Sequence, residues 1–114
     1  MIDQLIIFQK IYNLLLYVYP TVNKFPKGQR FVLSQHIFNT LLEILKLTII
    51  ANTKPKRDRI YEQEQISVYL DIFRIYIRLS RDLNFLSIKQ YEYIMRCINE
   101  IGKLLQGWKK ASKG

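Results

Sequence analysis

The sequence predicts an all-α protein that folds as an antiparallel up-down-up-down four-helix bundle. Four long segments carry apolar residues at intervals of three and four, which is the period of one face of a helix. The strict alternation of apolar and polar residues that marks a β-strand is absent from the sequence. Short polar breaks separate the four segments, and connections this short make consecutive helices antiparallel neighbours.

The first helix is predicted over about residues 2–24. Its seam has apolar residues spaced by three and four: Leu5, Phe8, Tyr12, Leu15, Tyr19 and Val22. Further apolar residues widen this seam: Ile11, Leu14, Val18 and Phe25. Pro20 removes one backbone donor and predicts a kink about one turn before the helix ends.

The second helix is predicted over about residues 29–51, after a turn at Phe25–Gly28. It carries two adjacent apolar rows, Ile37, Leu41, Ile44, Thr48 and Phe38, Leu42, Leu45, Ile49. The polar residues from Asn52 to Pro55 end it. Thr53 is a candidate cap there, and Pro55 suits the first turn of the next helix.

The third helix is predicted over about residues 56–84. It also carries two rows, Ile66, Leu70, Phe73, Ile77 and Tyr69, Ile72, Tyr76, Leu79, Leu83. Two rows exceed the width of a single packing seam. The sequence therefore predicts apolar surface that is available to a partner or to other subunits.

The fourth helix is predicted over about residues 87–110. Ser87 followed by Gln90 has the spacing of a capping box at its start. Its seam again steps by three and four: Tyr91, Ile94, Ile98, Ile101, Leu105 and Trp108. Gly102 is unfavourable inside a helix and predicts a close contact with a neighbouring one. The basic tail after Trp108 is expected to fray.

Composition limits the class of protein. The 114 residues suffice for one domain, predicted to span residues 1–114. One cysteine and one histidine exclude an intrachain disulfide and a zinc site within one subunit, so neither a metal nor a cofactor is expected. Gln9, Lys10 and Asn13 interrupt the apolar N-terminus, which predicts neither a signal peptide nor a membrane span and favours a cytoplasmic protein.

The sequence matches no enzyme template. It has no glycine-rich phosphate loop, no serine elbow and no helical zinc-protease motif. His36 is interpreted as a polar helix residue without a nucleophile partner, and Cys97 as a small hydrophobe near the core seam. Glu62 and Glu64 face different sides of a helix, so they do not form an acid/base pair. We therefore expect a protein without catalytic activity.

The basic residues carry the clearest functional signal. A net charge of +9 predicts an acidic or polyanionic partner. On the third helix, Arg74, Arg78 and Arg81 form a basic ridge at spacings of four and three, suited to contact successive phosphates. Such a ridge can equally hold subunits together.

Two further groups of charges have simpler interpretations. A second basic cluster at the turn into the third helix consists of Lys54, Lys56, Arg57 and Arg59. It is either a second phosphate-binding site or a solvated helix start. On the fourth helix, charges of alternating sign predict a solvated face whose residues pair with one another: Lys89, Glu92, Arg96, Glu100 and Lys103.

Several blocks resemble a known family of four-helix bundles. It includes the accessory variability determinants of diversity-generating retroelements and the proteins encoded in intervening sequences of large-subunit ribosomal RNA genes. The segment Phe25–Gln35, which reads FPKGQRFVLSQ, resembles the signature at the first turn. The blocks that favour the accessory branch are Arg81–Leu83, Leu86–Tyr93 and Glu100–Trp108. Ile49–Thr53 also lacks the Asn-Ile-Ala-Glu-Gly-like segment of the intervening-sequence branch.

The resemblance implies a bacterial or phage-encoded, noncatalytic accessory subunit. Such subunits form homopentameric rings and bind the retroelement's reverse transcriptase together with RNA and DNA, with weak sequence preference, to support mutagenic retrohoming. Two alternatives remain open. The chain could be a ribosomal RNA intervening-sequence-type protein, or a purely structural interaction bundle that binds no nucleic acid.

Overall fold

A computed structural model describes residues 5–29 and 32–113 of the chain. Four helices make up the fold: α1 (Ile6–Asn23), α2 (Leu33–Thr53), α3 (Ile60–Asp82) and α4 (Ile88–Lys113). Short 3-10 turns at Lys27–Gln29 and Lys56–Asp58 precede α2 and α3. Residues 5–29 and 32–113 include no β-strand, and the predicted all-α class is confirmed. Residues 2–4 of the predicted first helix, and Arg30 and Phe31 of the FPKGQRFVLSQ segment, lie outside the described residues.

Each helix packs against two others, in the order α1, α2, α3, α4 around the bundle. Contacts join the start of each helix to the end of its neighbour, so neighbouring helices run antiparallel. The pairs that show this are Val22 with Ser34, His36 with Tyr76, Gln63 with Ser112, and Tyr17 with Tyr93. The bundle measures 45 × 23 × 22 Å.

The core is built from the rows predicted on α2, α3 and α4. Their fully buried members include Ile37, Leu41 and Ile44 on α2, Ile66, Phe73 and Ile77 on α3, and Ile94, Ile98 and Ile101 on α4. Burying a side chain of this size contributes roughly 1.5–3 kcal/mol relative to leaving it in water. The second rows of α2 and α3 pack at the margin of this core or face solvent.

The seam predicted for α1 is partly wrong. Tyr12 and Tyr19 lie 49% and 56% exposed, while the buried stripe runs through Ile7, Ile11, Leu14, Leu15, Val18 and Val22. Both rows have helical spacing, so periodicity alone does not choose between them. The aliphatic row takes the core because it buries no polar atom, whereas a tyrosine keeps its hydroxyl hydrated at the surface.

The α2–α3 connection differs from the prediction in two respects. Thr53 is the last residue of α2, and its hydroxyl donates to the carbonyl of Ile50 at 2.7 Å, so it caps nothing in α3. Pro55 is extended and precedes the 3-10 turn, and α3 begins at Ile60 instead of residue 56. The residues predicted as the first turn of α3 therefore lie in the connection.

Hydrogen bonds from backbone N–H groups fix both ends of the α3–α4 connection. Asn84 has a φ of 65°, and its N–H donates to the Arg81 carbonyl at 2.9 Å, while the Phe85 N–H donates to the Ser80 carbonyl at 2.8 Å. This Schellman arrangement ends α3 at Asp82. The capping box is confirmed: the Ser87 N–H donates to Gln90 Oε1 at 2.9 Å, and the Gln90 N–H to Ser87 Oγ at 3.1 Å.

The C-terminal tail was predicted to fray, but it is helical in the structure. Helix α4 continues past Trp108 to Lys113. Lys109 forms an ion pair with Glu64 of α3 at 3.1 Å, and Gln63 Nε2 donates to Ser112 Oγ at 3.0 Å. These contacts hold the last turns of α4 against the start of α3. No helix among residues 5–29 and 32–113 is long and apolar enough to cross a membrane.

Each of the four helices exposes some large apolar side chains, and one group of them lies together on α1 and α2. The outer side of α1 and α2 exposes Tyr12, Leu16, Tyr19, Leu42 and Ile49. We call these five residues the apolar side. Tyr19 packs edge-on against Phe38 across the two helices, with ring centroids 5.3 Å apart, which joins the two helix faces into one surface. Exposed cations such as Arg78 on α3 and Arg96 and Lys103 on α4 lie elsewhere.

Candidate nucleic-acid interface

The three arginines of the predicted ridge lie along the groove between α3 and α4. Arg74 and Arg78 line a cleft of about 310 Å³ together with Tyr91. The guanidinium of Arg81 lies over the Tyr91 ring, 4.5 Å from its centroid. The structure therefore brings the three residues together, but it gives them different surroundings.

Arg74 connects α3 to α4. Its Nη1 lies 2.9 Å from Asp71 Oδ1, and its Nε donates to Asn99 Oδ1 at 3.1 Å. Only 28% of its side chain is exposed. Gly102 makes room for it, because a Cβ there would lie 3.0 Å from Arg74 Nη2. The close contact predicted at Gly102 is confirmed, with an arginine side chain as the partner.

Arg78 is the exposed member of the ridge. Within the described residues it forms no ion pair, so its guanidinium remains available to a phosphate. Arg81 is intermediate, because its Nη2 also lies 3.0 Å from Asp82 Oδ1. A phosphate at Arg74 or Arg81 would have to compete with a carboxylate, whereas one at Arg78 would not.

The second basic cluster, like the ridge, contains both residues that contact other parts of the bundle and residues that are exposed to solvent. Lys54 forms an ion pair of 2.8 Å with Glu62, whose side chain is 7% exposed. Arg59 donates from Nε to the Lys54 carbonyl at 2.9 Å and lies 5.9 Å from the Trp108 ring centroid. These two residues hold the α2–α3 connection in place. Lys56 and Arg57 project into solvent, with Arg57 Nε 3.8 Å from Asp58 Oδ1.

The two basic groups lie toward opposite ends of α3. Lys56 and Arg57 precede its first residue, Ile60. Arg78 lies eighteen positions after Ile60, which corresponds to roughly 27 Å at 1.5 Å per residue. One short phosphate segment would not span both groups, so a ligand that contacts both must be an extended one.

A third basic region, the groove between α1 and α4, was not predicted from the sequence. This groove has a volume of about 660 Å³ and is lined by Lys10, Asn13, Arg96, Glu100 and Lys103, among others. The predicted self-pairing along the fourth helix is wrong: within the described residues no ion pair joins two residues of α4, and Glu100 pairs with Lys10 at 3.4 Å. Lys10 joins these residues only through helix packing, which the periodicity of one helix does not reveal.

Cys97 and Tyr93 lie in the same groove. Cys97 is half-buried and packs at the edge of the core, so it is near the seam as predicted but not fully enclosed. A hydrogen bond with the Cys97 thiol, followed by charge interaction with that group and by burial, raises the pKa of Tyr93 above its ordinary 10.0.

His36 is exposed at the start of α2, with its ring 5.9 Å from the centroid of Tyr76. The described parts of the chain bring no three His, Cys, Asp or Glu side chains together in a group that could hold a metal ion. What the arrangement offers chemically is hydrogen-bond donors and positive charge on the surface of a rigid bundle.

Comparison with known proteins adds one match. A family model described as bAvd-like matches residues 5–112 of the chain, which covers all of α1, α2 and α3 and nearly all of α4. No curated protein matches the chain.

Proposed function

The chain belongs to the bAvd-like family, whose members are accessory variability determinants, and from this membership we propose that it serves a diversity-generating retroelement by binding the reverse transcriptase together with RNA and DNA. The family match over residues 5–112 is the observation that carries the proposal. Polymerisation and mutagenic retrohoming then depend on the partner enzyme. This role implies a bacterial or phage-encoded protein that acts in the cytoplasm.

In this proposal the nucleic acid lies against α3 and the connection before it. Arg78, Lys56 and Arg57 make the first phosphate contacts, because their charges are the least engaged. The cations that already have partners within the bundle add to the same positive field: Arg74, Arg81, Lys54 and Arg59. Phosphate contacts of this kind carry little sequence information and weaken steeply with salt.

The apolar side gives the proposal its second part, assembly into a homo-oligomer, with a pentamer as the expected form. Tyr12, Leu16 and Tyr19 expose large side chains in a row on α1, and Leu42 and Ile49 continue that surface on α2. A group of large apolar side chains exposed together is typical of an interaction site. Five copies would repeat the basic residues of α3 around the assembly and strengthen phosphate binding through multivalency.

The test is a salt series with labelled RNA and with an RNA–DNA hybrid, followed by fluorescence anisotropy. The test variant reverses the charges of Lys56, Arg57 and Arg78 to Glu. The matched control reverses Lys24, Lys27 and Lys89 to Glu, which changes the net charge equally at exposed lysines elsewhere on the bundle. We expect the test variant to lose binding and the control to keep most of it.

Two outcomes would contradict the nucleic-acid part of the proposal. Equal losses in the two variants would mean that only net charge matters, and no binding by the wild type at low salt would mean that the cations serve a protein partner. The second outcome favours the structural alternative, which the internal contacts of Arg74 and Arg59 already support in part. Ribosomal RNA association without any reverse transcriptase would favour the intervening-sequence alternative.

A further inference from the structure

We propose that a cleft at one end of the bundle binds a nucleoside phosphate. The cleft has a volume of about 330 Å³ and lies between the 3-10 turn, the start of α3 and the end of α4. Its lining residues are Lys56, Arg57, Ile60, Gln63, Ser112 and Lys113. The volume is within the range of small-molecule sites. The inference rests on the proposed function in one respect: Lys56 and Arg57 line this cleft and are also proposed as phosphate contacts for the nucleic acid.

The floor of the cleft carries an unpaired hydrogen-bond acceptor. Gln63 is 0% exposed, and its Oε1 has no hydrogen-bond partner within the described part of the chain. Buried polar atoms are nearly always paired, because an unpaired one costs about 1–3 kcal/mol. This acceptor has no surface exposed to water in the free protein, so a ligand donor reaches it only when the exposed side chains that line the cleft move aside.

The orientation of the Gln63 amide follows from its neighbour. The hydroxyl of Ser112 donates its only hydrogen to the carbonyl of Trp108 at 2.9 Å. Ser112 Oγ can then only accept from Gln63, and it does so from Nε2 at 3.0 Å. The opposite orientation would require the Ser112 hydroxyl to give up its bond to the Trp108 carbonyl and donate to Gln63 Oε1 instead. With both of these hydrogen bonds in place, Oε1 is the atom left for the ligand.

The rim of the cleft is positive. Lys56, Arg57 and Lys113 are all exposed, and the carboxylate that pairs with this rim is Asp58, at 3.8 Å from Arg57 Nε. Of two other acidic residues of this end, Glu64 pairs with Lys109, and Glu62 pairs with Lys54 through Oε2 while its buried Oε1 has no partner among the described residues. A phosphate group at the rim would meet two ammonium groups and the planar donors of a guanidinium.

A nucleoside phosphate satisfies both parts of this cleft. Its phosphate fits the cationic rim, and the N–H groups on the edge of its base can donate to Gln63 Oε1. The side chain of Ile60 gives an apolar wall against which the face of a base can pack. Inorganic phosphate would use the rim alone. The ligand could be a free nucleotide or the terminal nucleotide of a strand, since the two share this chemistry.

The experiment follows the side-chain amide of Gln63 by NMR in the wild-type protein. The probes are AMP, GMP, inorganic phosphate, and a short RNA with and without a 5′-phosphate. We expect the Gln63 amide signals to shift with the mononucleotides or with the 5′-phosphorylated RNA, and not with inorganic phosphate. Shifts with mononucleotides identify a site for free nucleotides, and shifts with phosphorylated RNA alone identify a site for strand ends.

A variant separates this site from general RNA binding. Gln63→Met keeps the side-chain volume but removes the acceptor, and should weaken binding of the responding probe at least tenfold. Its salt-dependent affinity for an internal RNA segment should be unchanged, whereas Arg78→Glu should lower that affinity and leave nucleotide binding intact. The inference is overturned if no probe shifts Gln63 at millimolar concentration, or if Gln63→Met binds every probe as the wild type does. The NMR titration uses the wild-type protein. It therefore still tests the inference if the Gln63→Met variant fails to fold.

Discussion

The guanidinium of Arg74 on α3 lies so close to Gly102 on α4 that a Cβ atom at position 102 would be 3.0 Å from Arg74 Nη2. The glycine costs α4 about 1 kcal/mol of helix propensity relative to alanine. With that space free, Arg74 reaches Asn99 Oδ1 at 3.1 Å while keeping its ion pair with Asp71. A residue that the sequence indicates as a phosphate ligand is thus also a contact between two helices.

We predict that Gly102→Ala stabilises the protein less than Gly107→Ala does. Position 107 is open, because a Cβ added there would meet no atom within 4 Å, so alanine should raise the free energy of unfolding by about 1 kcal/mol. At position 102 the same gain is offset by displacement of the Arg74 guanidinium. Urea unfolding of the two single variants measures the difference, and equal stabilisation would show that Arg74 shifts at no cost.

The end of α3 gives a second stability prediction. Asn84 has a positive φ of 65°, which a residue without a Cβ adopts freely. Asn84→Gly should therefore match or exceed the stability of the wild type, whereas Asn84→Ala should lose about 1 kcal/mol. Thermal and urea unfolding compare the pair. If alanine and glycine behave alike, the Schellman turn contributes little to the stability of the bundle.

Most of the fold could be predicted from the sequence because the helical period is strong. The predicted rows that begin at Ile37 on α2 and at Ile66 on α3 are buried in the observed core. The capping box at Ser87 also forms as its spacing indicates. The end of α3 is predicted two residues late, at Asn84 instead of Asp82. Residue type does not settle that boundary, because asparagine occurs both at the ends of helices and in loops, and the backbone conformation decides.

The candidate site was less predictable, because charge on one helix does not reveal its partners on another. Arg74 meets Asn99 and Arg59 lies beside Trp108 only after α3 and the connection before it pack against α4. The α1–α4 groove with Lys10 and Arg96 depends on packing in the same way. Gln63 has no signal in the sequence, since a buried, half-paired amide is recognisable only from its surroundings.

A third prediction separates the structural from the binding arginines. Arg74→Gln should lower the free energy of unfolding by about 1 kcal/mol, because it removes an ion pair and a charged hydrogen bond between helices. Arg78→Gln should leave stability unchanged and reduce the slope of log affinity for single-stranded RNA against log salt by about 0.7. Unfolding curves and anisotropy titrations on both variants check the contrast. A stability loss at Arg78 with an unchanged salt slope would reverse the assignment.

The last prediction concerns the apolar side. Leu16 on α1 is 60% exposed and its neighbour Leu15 is 8% exposed, so the two leucines test surface and core at adjacent positions. Leu16→Glu should keep the helical circular dichroism spectrum, and it should leave the unfolding midpoint of the dissociated subunit unchanged. It should reduce the sedimenting mass from that of the assembly to that of a smaller species. The reason is that assembly would bury the charged side chain without a partner in the subunit interface.

Leu15→Ala is the control: it should lower the free energy of unfolding by about 2–5 kcal/mol, because it leaves a cavity in the core. If Leu16→Glu sediments as the wild type does, the apolar side is not the surface through which the subunits assemble, and the exposed second row of α3, with Leu79 and Leu83, becomes the next surface to substitute.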